Sequence, residues 1–382
     1  MPGGDQSSGR AGRFVTQPKG DYRAFLPAPL PPEPPVELGE GLVRALSEAQ
    51  IELGRLDGAV KTIPDPDFFI SMYVRREAVL SSQIEGTQST LEDLLEVELD
   101  SGRQGARSDV GEIVNYVRAT NHGLARLDDL PLSLRLIREI HAELLRDGRG
   151  AQKTPGEFRR SQNWIGPGGA GLGAATFVPP PPDEMKDALG DLERFLHTAE
   201  RPALVDIGLI HAQFETIHPF LDGNGRVGRL LITLLLIHRG VLRGPLLYLS
   251  LYLKQNRSEY YERLTAIRER GDWEGWLLFF LTGIAETARE ATGKAESIFD
   301  LRERHRQEVI KGRAGPKGLE LLSGLYQQPL INVNRASSMV GVTYETANRL
   351  VGHFEDLGIL REVTGLKRRR VFRYDPYLAL FE

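Results

Sequence analysis

His218-Pro-Phe-Leu-Asp-Gly-Asn-Gly-Arg-Val-Gly-Arg229 is the stretch from which the rest of the chain can be read. Ahead of it, Ile207, Ile210, His211, Phe214 and Ile217 recur at three- and four-residue steps. They predict an apolar helical face that ends near His218, because a proline disfavours the α conformation in the residue before it. Behind it, Gly225 to His238 reads as the next helix. Asn224 would be its N-cap, with Gly223 and Gly225 letting the backbone approach a ligand. A glycine-bearing loop feeding a helix N-terminus is an anion site, since free N–H groups and the positive dipole end point outward. Arg226 and Arg229, three apart, share a helix face, and each guanidinium can grip a phosphate through paired hydrogen bonds. Asp222 suits Mg²⁺ bound jointly with phosphates. Taken singly, a Gly-Asn-Gly loop is often only a turn and paired arginines are usually surface. Together, a base, a carboxylate, an anion cradle and two clamps within one short stretch point to phosphoryl-type chemistry.

Around this core the chain reads as mostly α. Helical spacing runs from about Leu42 through Leu56, from Phe68 to Ile84, from Val110 to Leu127 and from Leu132 to Leu145. Ser89-Thr90-Leu91-Glu92 reads as a capping box opening a helix over Leu91 to Leu99. Residues 158–165 and 175–178 read as two strands of a hairpin around the glycine-rich 166–173. Helices resume at Asp183 to Leu196, Val205 to Ile217 and Ser258 to Glu290. Short helices at Leu319 to Tyr326 and Val333 to Val340, a longer one at Tyr344 to Leu357, and strands at Ile359 to Val363 and Arg370 to Tyr374 make a winged helix-turn-helix pattern. The expected organisation is a Pro/Gly-rich arm (1–40), an N-terminal helical region (41–130), a catalytic core (131–300), a linker (301–318) and the winged-helix domain (319–382).

The chain has 382 residues, with 48 Lys+Arg against 52 Asp+Glu and no cysteine. The absence of cysteine excludes disulfides, thiol catalysis and zinc-thiolate sites, and fits a reducing cytoplasm. No uncharged apolar run reaches the ~18 residues a membrane span needs. Met1-Pro2-Gly3-Gly4-Asp5 lacks the basic-then-apolar pattern of a signal peptide. A cytoplasmic protein without a membrane span is therefore expected. Residues 301–382 carry 14 Lys+Arg against 9 Asp+Glu, so the tail is basic while the body is acidic.

The motif resembles the signature of the Fic family at every defining position, and the resemblance extends over roughly residues 20–382. It implies a helical Fic-type bundle with a β-hairpin flap, and transfer of AMP from ATP, with Mg²⁺ (or Mn²⁺), to a hydroxyl side chain of a target protein. By position, His218 resembles the general base and Asp222 the metal ligand. Phe220, Gly223, Asn224 and Gly225 resemble the nucleotide and anion site, and Arg226 and Arg229 the phosphate-binding arginines. Gly225 stands where the phosphorylating Doc branch usually has lysine, which favours AMP transfer. Asn256 is expected either to reach the nucleotide or to cap the helix before Ser258.

Ser81-Ser82-Gln83-Ile84-Glu85-Gly86 stands out physically. Gly86 reads as a helix-ending C′ glycine, which leaves Glu85 at the negative end of the dipole, where a cation from elsewhere would relieve it. Read alone, Glu85 is also compatible with a solvated glutamate. The segment resembles the Fic inhibitory motif, with Ser81, Glu85 and Gly86 in place. That resemblance implies a pairing of Glu85 with Arg229 that blocks the γ-phosphate clamp, and in some relatives the same glutamate assists AMP removal. The segment Arg160 to Val178 resembles the flap that aligns a target by strand addition. In the tail, Arg349 on the candidate recognition helix and Lys367, Arg368, Arg369 and Arg370 on the wing suit DNA phosphates, although winged helices equally dock proteins or dimerise. The leading expectation is a self-inhibited adenylyltransferase acting on Ser, Thr or Tyr, including itself, with homodimerisation as a conceivable release. The alternatives are a nucleotide-sensing DNA-binding regulator and an AMP-removing hydrolase.

Overall fold

The structure, a computed structural model, describes residues 9–17, 22–61, 66–99, 108–166, 171–198 and 200–381. The chain opens with an antiparallel hairpin, β1 (Gly12–Gln17) and β2 (Tyr22–Pro27), in the register Gly12↔Pro27 to Gln17↔Tyr22. Five helices follow: α1 (Glu40–Lys61), α2 (Pro66–Ile84), α3 (Leu91–Leu99), α4 (Ser108–Leu127) and α5 (Leu134–Leu144). After an irregular stretch come α6 (Pro182–Leu196), α7 (Ala203–Ile217), α8 (Asn224–His238), α9 (Ser250–Gln255), α10 (Arg257–Arg270) and the long α11 (Trp273–Lys311). The C-terminal part holds α12 (Gly315–Gln327), β3 (Leu330–Asn332), α13 (Val333–Val340), α14 (Tyr344–Asp356), β4 (Arg361–Glu362), β5 (Val371–Arg373) and α15 (Asp375–Leu378). Its three strands form an antiparallel sheet in the order β3-β5-β4.

The centre is α7, buried continuously from Leu204 to Ile217. A helix that is apolar all round belongs in a core, and its polar groups must then be satisfied locally. His211 does so with the Gly228 carbonyl (3.0 Å) and the Tyr260 hydroxyl (2.9 Å). Thr216 donates back to Ala212 O. α8 and α11 pack on α7, and α1 lies along α11.

Several expectations need correction. The described part of the segment read as a Pro/Gly-rich arm is a docked hairpin. Arg10 grips Glu274 with two 2.7 Å hydrogen bonds, Phe25 N donates to Val178 O, and Gln213 donates to Ala28 O. The two strands expected at 158–178 shrink among the described residues to one antiparallel bridge, Ile165 with Phe177, and residues 167–170 of the glycine loop lie outside the described residues. Side chains there bind other backbone instead of leaving it free for a ladder, and Pro179 to Pro182 supply no N–H donors. The helix expected over 258–290 breaks at Gly271, in the left-handed conformation (φ 66°), and restarts at Trp273 with Asp272 as N-cap. α11 then runs through 301–311, so most of the expected linker is helix. The cap of α3 is one residue later than expected: Thr90 and Asp93 exchange hydrogen bonds (Thr90 N to Asp93 Oδ2, 2.7 Å; Asp93 N to Thr90 Oγ1, 3.2 Å).

The tail does not hang free. α12 packs on α2, and Phe381 meets Tyr73 of α2 edge-on at 5.9 Å. β3 lies on α3, and Arg373 reaches Glu92 of α3 at 3.6 Å. Within the tail, Arg370 donates to Asn348 of α14, whereas Arg349, Lys367, Arg368 and Arg369 are exposed.

Candidate functional site

Two left-handed residues bracket the loop between α7 and α8. His218 sits at φ 48°, ψ 61° as the C-cap of α7, and Gly223 at φ 78°, ψ 4° as the N-cap of α8. The positive φ at His218 was not expected; a non-glycine there, before proline, costs ~1–3 kcal/mol and persists only where its surroundings hold it. Asn224 is not the N-cap. Its Oδ1 accepts from Phe220 N and its Nδ2 donates to Phe220 O, both at 2.8 Å, closing the loop on itself. His141 of α5 props the loop from below: Nδ1 accepts from Gly156 N (2.8 Å), so Nε2–H donates to Asp222 O (3.0 Å). Burial holds His141 neutral by pushing its pKa down to about 4.

Phe220, read from the sequence as part of the nucleotide site, is a core residue. It is fully buried, stacks on His141 at 3.7 Å, and has both backbone groups taken by Asn224. Asn256 joins α9 to α10 and donates to Tyr252 O. Seven motif residues meet at a cavity of about 160 Å³ lined by Glu85, Glu112, Arg149, His218, Leu221, Asp222, Gly223, Asn224, Gly225 and Arg226, while Arg229 is buried behind Glu85.

At the floor of this cavity, His218 Nδ1 is sealed from solvent, so Nε2 is the nitrogen available to a reactant. Burial first, then the charges of Arg268 and Arg159, push its pKa down to about 4. A neutral imidazole can accept a proton.

Both motif arginines are occupied. Arg229, buried, donates to Ser81 Oγ (2.9 Å), Ser81 O (3.0 Å) and Glu85 Oε1 (2.6 Å). Burial alone would lower its pKa, and nearby carboxylates, Glu85 foremost, raise it instead. Burial would raise Glu85, and the charge and hydrogen bond of Arg229 outweigh that and lower it. The Glu85 carboxylate also lies against the first turn of α8: a Cβ on Gly225 would fall 2.3 Å from its Oε1. The cation that Glu85 lacks at the end of α2 is thus supplied by Arg229, with the positive end of α8 beside it. Arg226 donates to Glu112 Oε2 of α4 (3.0 Å), both side chains being buried, and approaches Asp222 Oδ1 at 3.5 Å.

Asp222 presents a carboxylate at the cavity beside the first turn of α8. Its Oδ1 accepts from Gly223 N (2.6 Å). Among the described residues no group of three His, Cys, Asp or Glu could hold a metal. A single carboxylate fits Mg²⁺ that draws its remaining oxygens from phosphates and water.

Sequence reading missed five charged residues here, among them Arg149 on the cavity wall. Glu112 partners Arg226. Glu215, buried three residues before His218, is pushed up to about 7 by burial. Arg159 and Arg268 flank the His218 backbone. The only available signal was apolar context: Glu215 interrupts the hydrophobic run of α7.

Comparison with known proteins places these features in one family. Residues 43–125 match the description "Fic/DOC family N-terminal", and residues 131–236 match "Fic/DOC family". A protein named "Protein adenylyltransferase Fic" from Drosophila grimshawi is 33% identical over 153 residues, 39% of this chain and 28% of that protein. Its namesake from Aedes aegypti is 32% identical over 174 residues, 44% and 30% of the two. This chain thus spans less than a third of the length of these curated relatives. Among solved structures, a Fic family protein from Desulfovibrio desulfuricans G20 superposes with a TM-score of 0.58 at 20% identity, covering 89% of this chain and 97% of that one. A Fic domain containing signaling protein from Bacteroides thetaiotaomicron gives 0.51 at 18%, covering 64% and 95%. These two likenesses concern the fold.

Proposed function

For a chain that belongs to the Fic/DOC family, we propose the function of a self-restrained protein adenylyltransferase that moves AMP from ATP to a Ser, Thr or Tyr hydroxyl. The target oxygen attacks the α-phosphorus, its proton passes to His218 Nε2, and the bond to the β-phosphate oxygen breaks to release pyrophosphate. His218 is the base, and its low proton affinity keeps it ready to accept. The first turn of α8 offers N–H donors to phosphate oxygens, and Arg226 and Arg229 supply charge where it develops. Asp222 would hold Mg²⁺ together with the phosphates, and the ion would neutralise their charge.

The observation that carries this reading is the 2.6 Å pairing of Glu85 with Arg229, fixed further by Ser81. With Glu85 in place, Arg229 is spent on a carboxylate of its own chain and cannot grip a phosphate. Basal transfer is then low, and removal of Glu85 frees the clamp. The tail (319–382) is proposed as a docking module, with the exposed Lys367, Arg368 and Arg369 favouring nucleic-acid phosphates.

The deciding experiment is intact-mass measurement after incubation with ATP and Mg²⁺, including added candidate substrates. Wild type, Glu85→Gly, and Glu85→Gly with His218→Ala are compared. The reading expects AMP addition in Glu85→Gly well above wild type and none in the double variant. Equal labelling of wild type and Glu85→Gly would remove the brake, and labelling that survives loss of His218 would remove the base.

A further inference from the structure

A histidine at the C-terminus of a helix ordinarily sits among unpaired carbonyls, whose negative dipole end favours the protonated ring. At the end of α7 those carbonyls are taken. Arg159 donates to His218 O through Nε (3.0 Å) and to Ile217 O through Nη2 (3.4 Å). Its other donors reach Ser161 O (3.3 Å) and Pro180 O, and its own backbone N–H donates to Pro219 O (2.9 Å). Arg159 is 1% exposed and makes no ion pair among the described residues. Asn163 Nδ2 adds donors to His218 O (3.3 Å) and Phe220 O (2.8 Å), and Arg268 covers Glu215 O (3.4 Å).

A buried guanidinium without a carboxylate is costly to keep and is retained only where its donors are all engaged. Here every side-chain partner among the described residues is a carbonyl on one of two segments, the described part of 159–180 or the end of α7. We propose that Arg159 is a positioning residue for the base: its fork caps the last carbonyls of α7 and holds the His218 peptide in its left-handed conformation. The ring is thereby aimed at the cavity, and the helix end that would favour its protonation is neutralised. Tying both segments to one side chain also couples the path of the candidate flap to the orientation of the base.

Other charges also face His218. Arg268 and Arg159 are cations beside it, Glu85 is an anion, and the backbone of Glu215 favours its protonated form. Glu112, Asp222, Arg149 and Arg226 line the rest of the cavity. Replacing Arg159 removes one cation, uncovers the Ile217 carbonyl and leaves His218 O with Asn163 alone, and these changes raise the affinity of the ring for a proton.

This inference rests on the transferase reading, and its test separates the two. In the Glu85→Gly background, Arg159→Met should lower kcat for AMP transfer by about 10²-fold, the effect of an ångström-scale misplacement. KM for ATP should move by less than about threefold. Arg159→Lys, which keeps the charge but loses the fork, should fall between. NMR of histidine-labelled protein should show the His218 ring shifting and titrating at higher pH in Arg159→Met, with His141 and His211 unmoved. A kcat within about twofold of the parent, or a loss of activity with the His218 signal unchanged, overturns the inference. Should Arg159→Met not fold, Arg159→Lys carries the same two readouts. Should the Glu85→Gly parent itself be inactive, the transferase reading fails, and the His218 titration still decides the role of Arg159.

Discussion

Alanine at Gly225 should release the restraint without touching Glu85. Gly225 is the second residue of α8 and has no positive φ, so the backbone accepts alanine and gains roughly 0.5–1 kcal/mol of helix propensity. The new Cβ, however, would lie 2.3 Å from Glu85 Oε1 and 3.0 Å from Arg229 Nη1. Something must move, and Arg229 is buried and tied to Ser81, whereas the Glu85 side chain is 36% exposed at a helix end. The carboxylate therefore swings out. An exposed ion pair is worth ~0.2–1 kcal/mol and breaking a fully buried one ~3–5 kcal/mol. A half-solvated carboxylate on a buried guanidinium falls between, at about 1–2 kcal/mol. That raises the released population about 5- to 30-fold. The assay is ATP-dependent mass gain for wild type, Gly225→Ala, Glu85→Gly and the double variant. The double variant monitors whether the added methyl harms nucleotide binding. A silent Gly225→Ala beside a double variant as active as Glu85→Gly would refute the reasoning, because the site would then tolerate the methyl while the carboxylate stayed in place.

Other outcomes follow from the charges around the cavity. Glu215 binds its proton more tightly when folded, with a pKa of about 7, than when unfolded, so stability is highest below the ordinary carboxyl range and falls as pH rises toward neutrality. Glu215→Gln should therefore melt above wild type at pH 8 and no higher than it at pH 5, as calorimetry would show. Glu112→Ala strands the buried Arg226 cation with Asp222 alone and should cost ~3–5 kcal/mol in urea unfolding. If the tail grips nucleic-acid phosphates, replacing Lys367, Arg368 and Arg369 with alanine should reduce the log–log salt slope of DNA binding by up to about 3; an unchanged slope removes those contacts.

The helices that periodicity specifies best were legible. Leu91–Leu99 and Val333–Val340 have their expected ends, because a capping residue precedes each run and its apolar positions recur cleanly. The break at Gly271–Asp272 was written as a glycine followed by a capping aspartate, yet a continuous apolar pattern hid it. The strands at 158–178, expected long and found as one bridge, show the limit of alternation as a signal. Arg159 and Asn163 point their donors at the loop between α7 and α8, and nothing in their neighbourhood in sequence says so. The same holds for Glu112, whose partner Arg226 lies 114 residues away. A twelve-residue motif announces the chemistry because its groups are contiguous. The charges that support it come from other segments and leave no periodic trace.

The loop from His218 to Gly223 has almost no freedom left to lose. Asn224 clasps Phe220, His141 props Asp222, and the backbone of Arg159 ties Pro219, all with the Glu85 carboxylate already resting on the first turn of α8. An arriving phosphate would exchange one anion for another over a finished surface, and no segment would have to be ordered to receive it. Calorimetry of nucleotide capture should then show little of the entropy loss and heat-capacity change that accompany coupled folding. The proposed latency would lie in an occupied seat, to be lifted on the timescale of side-chain rotation.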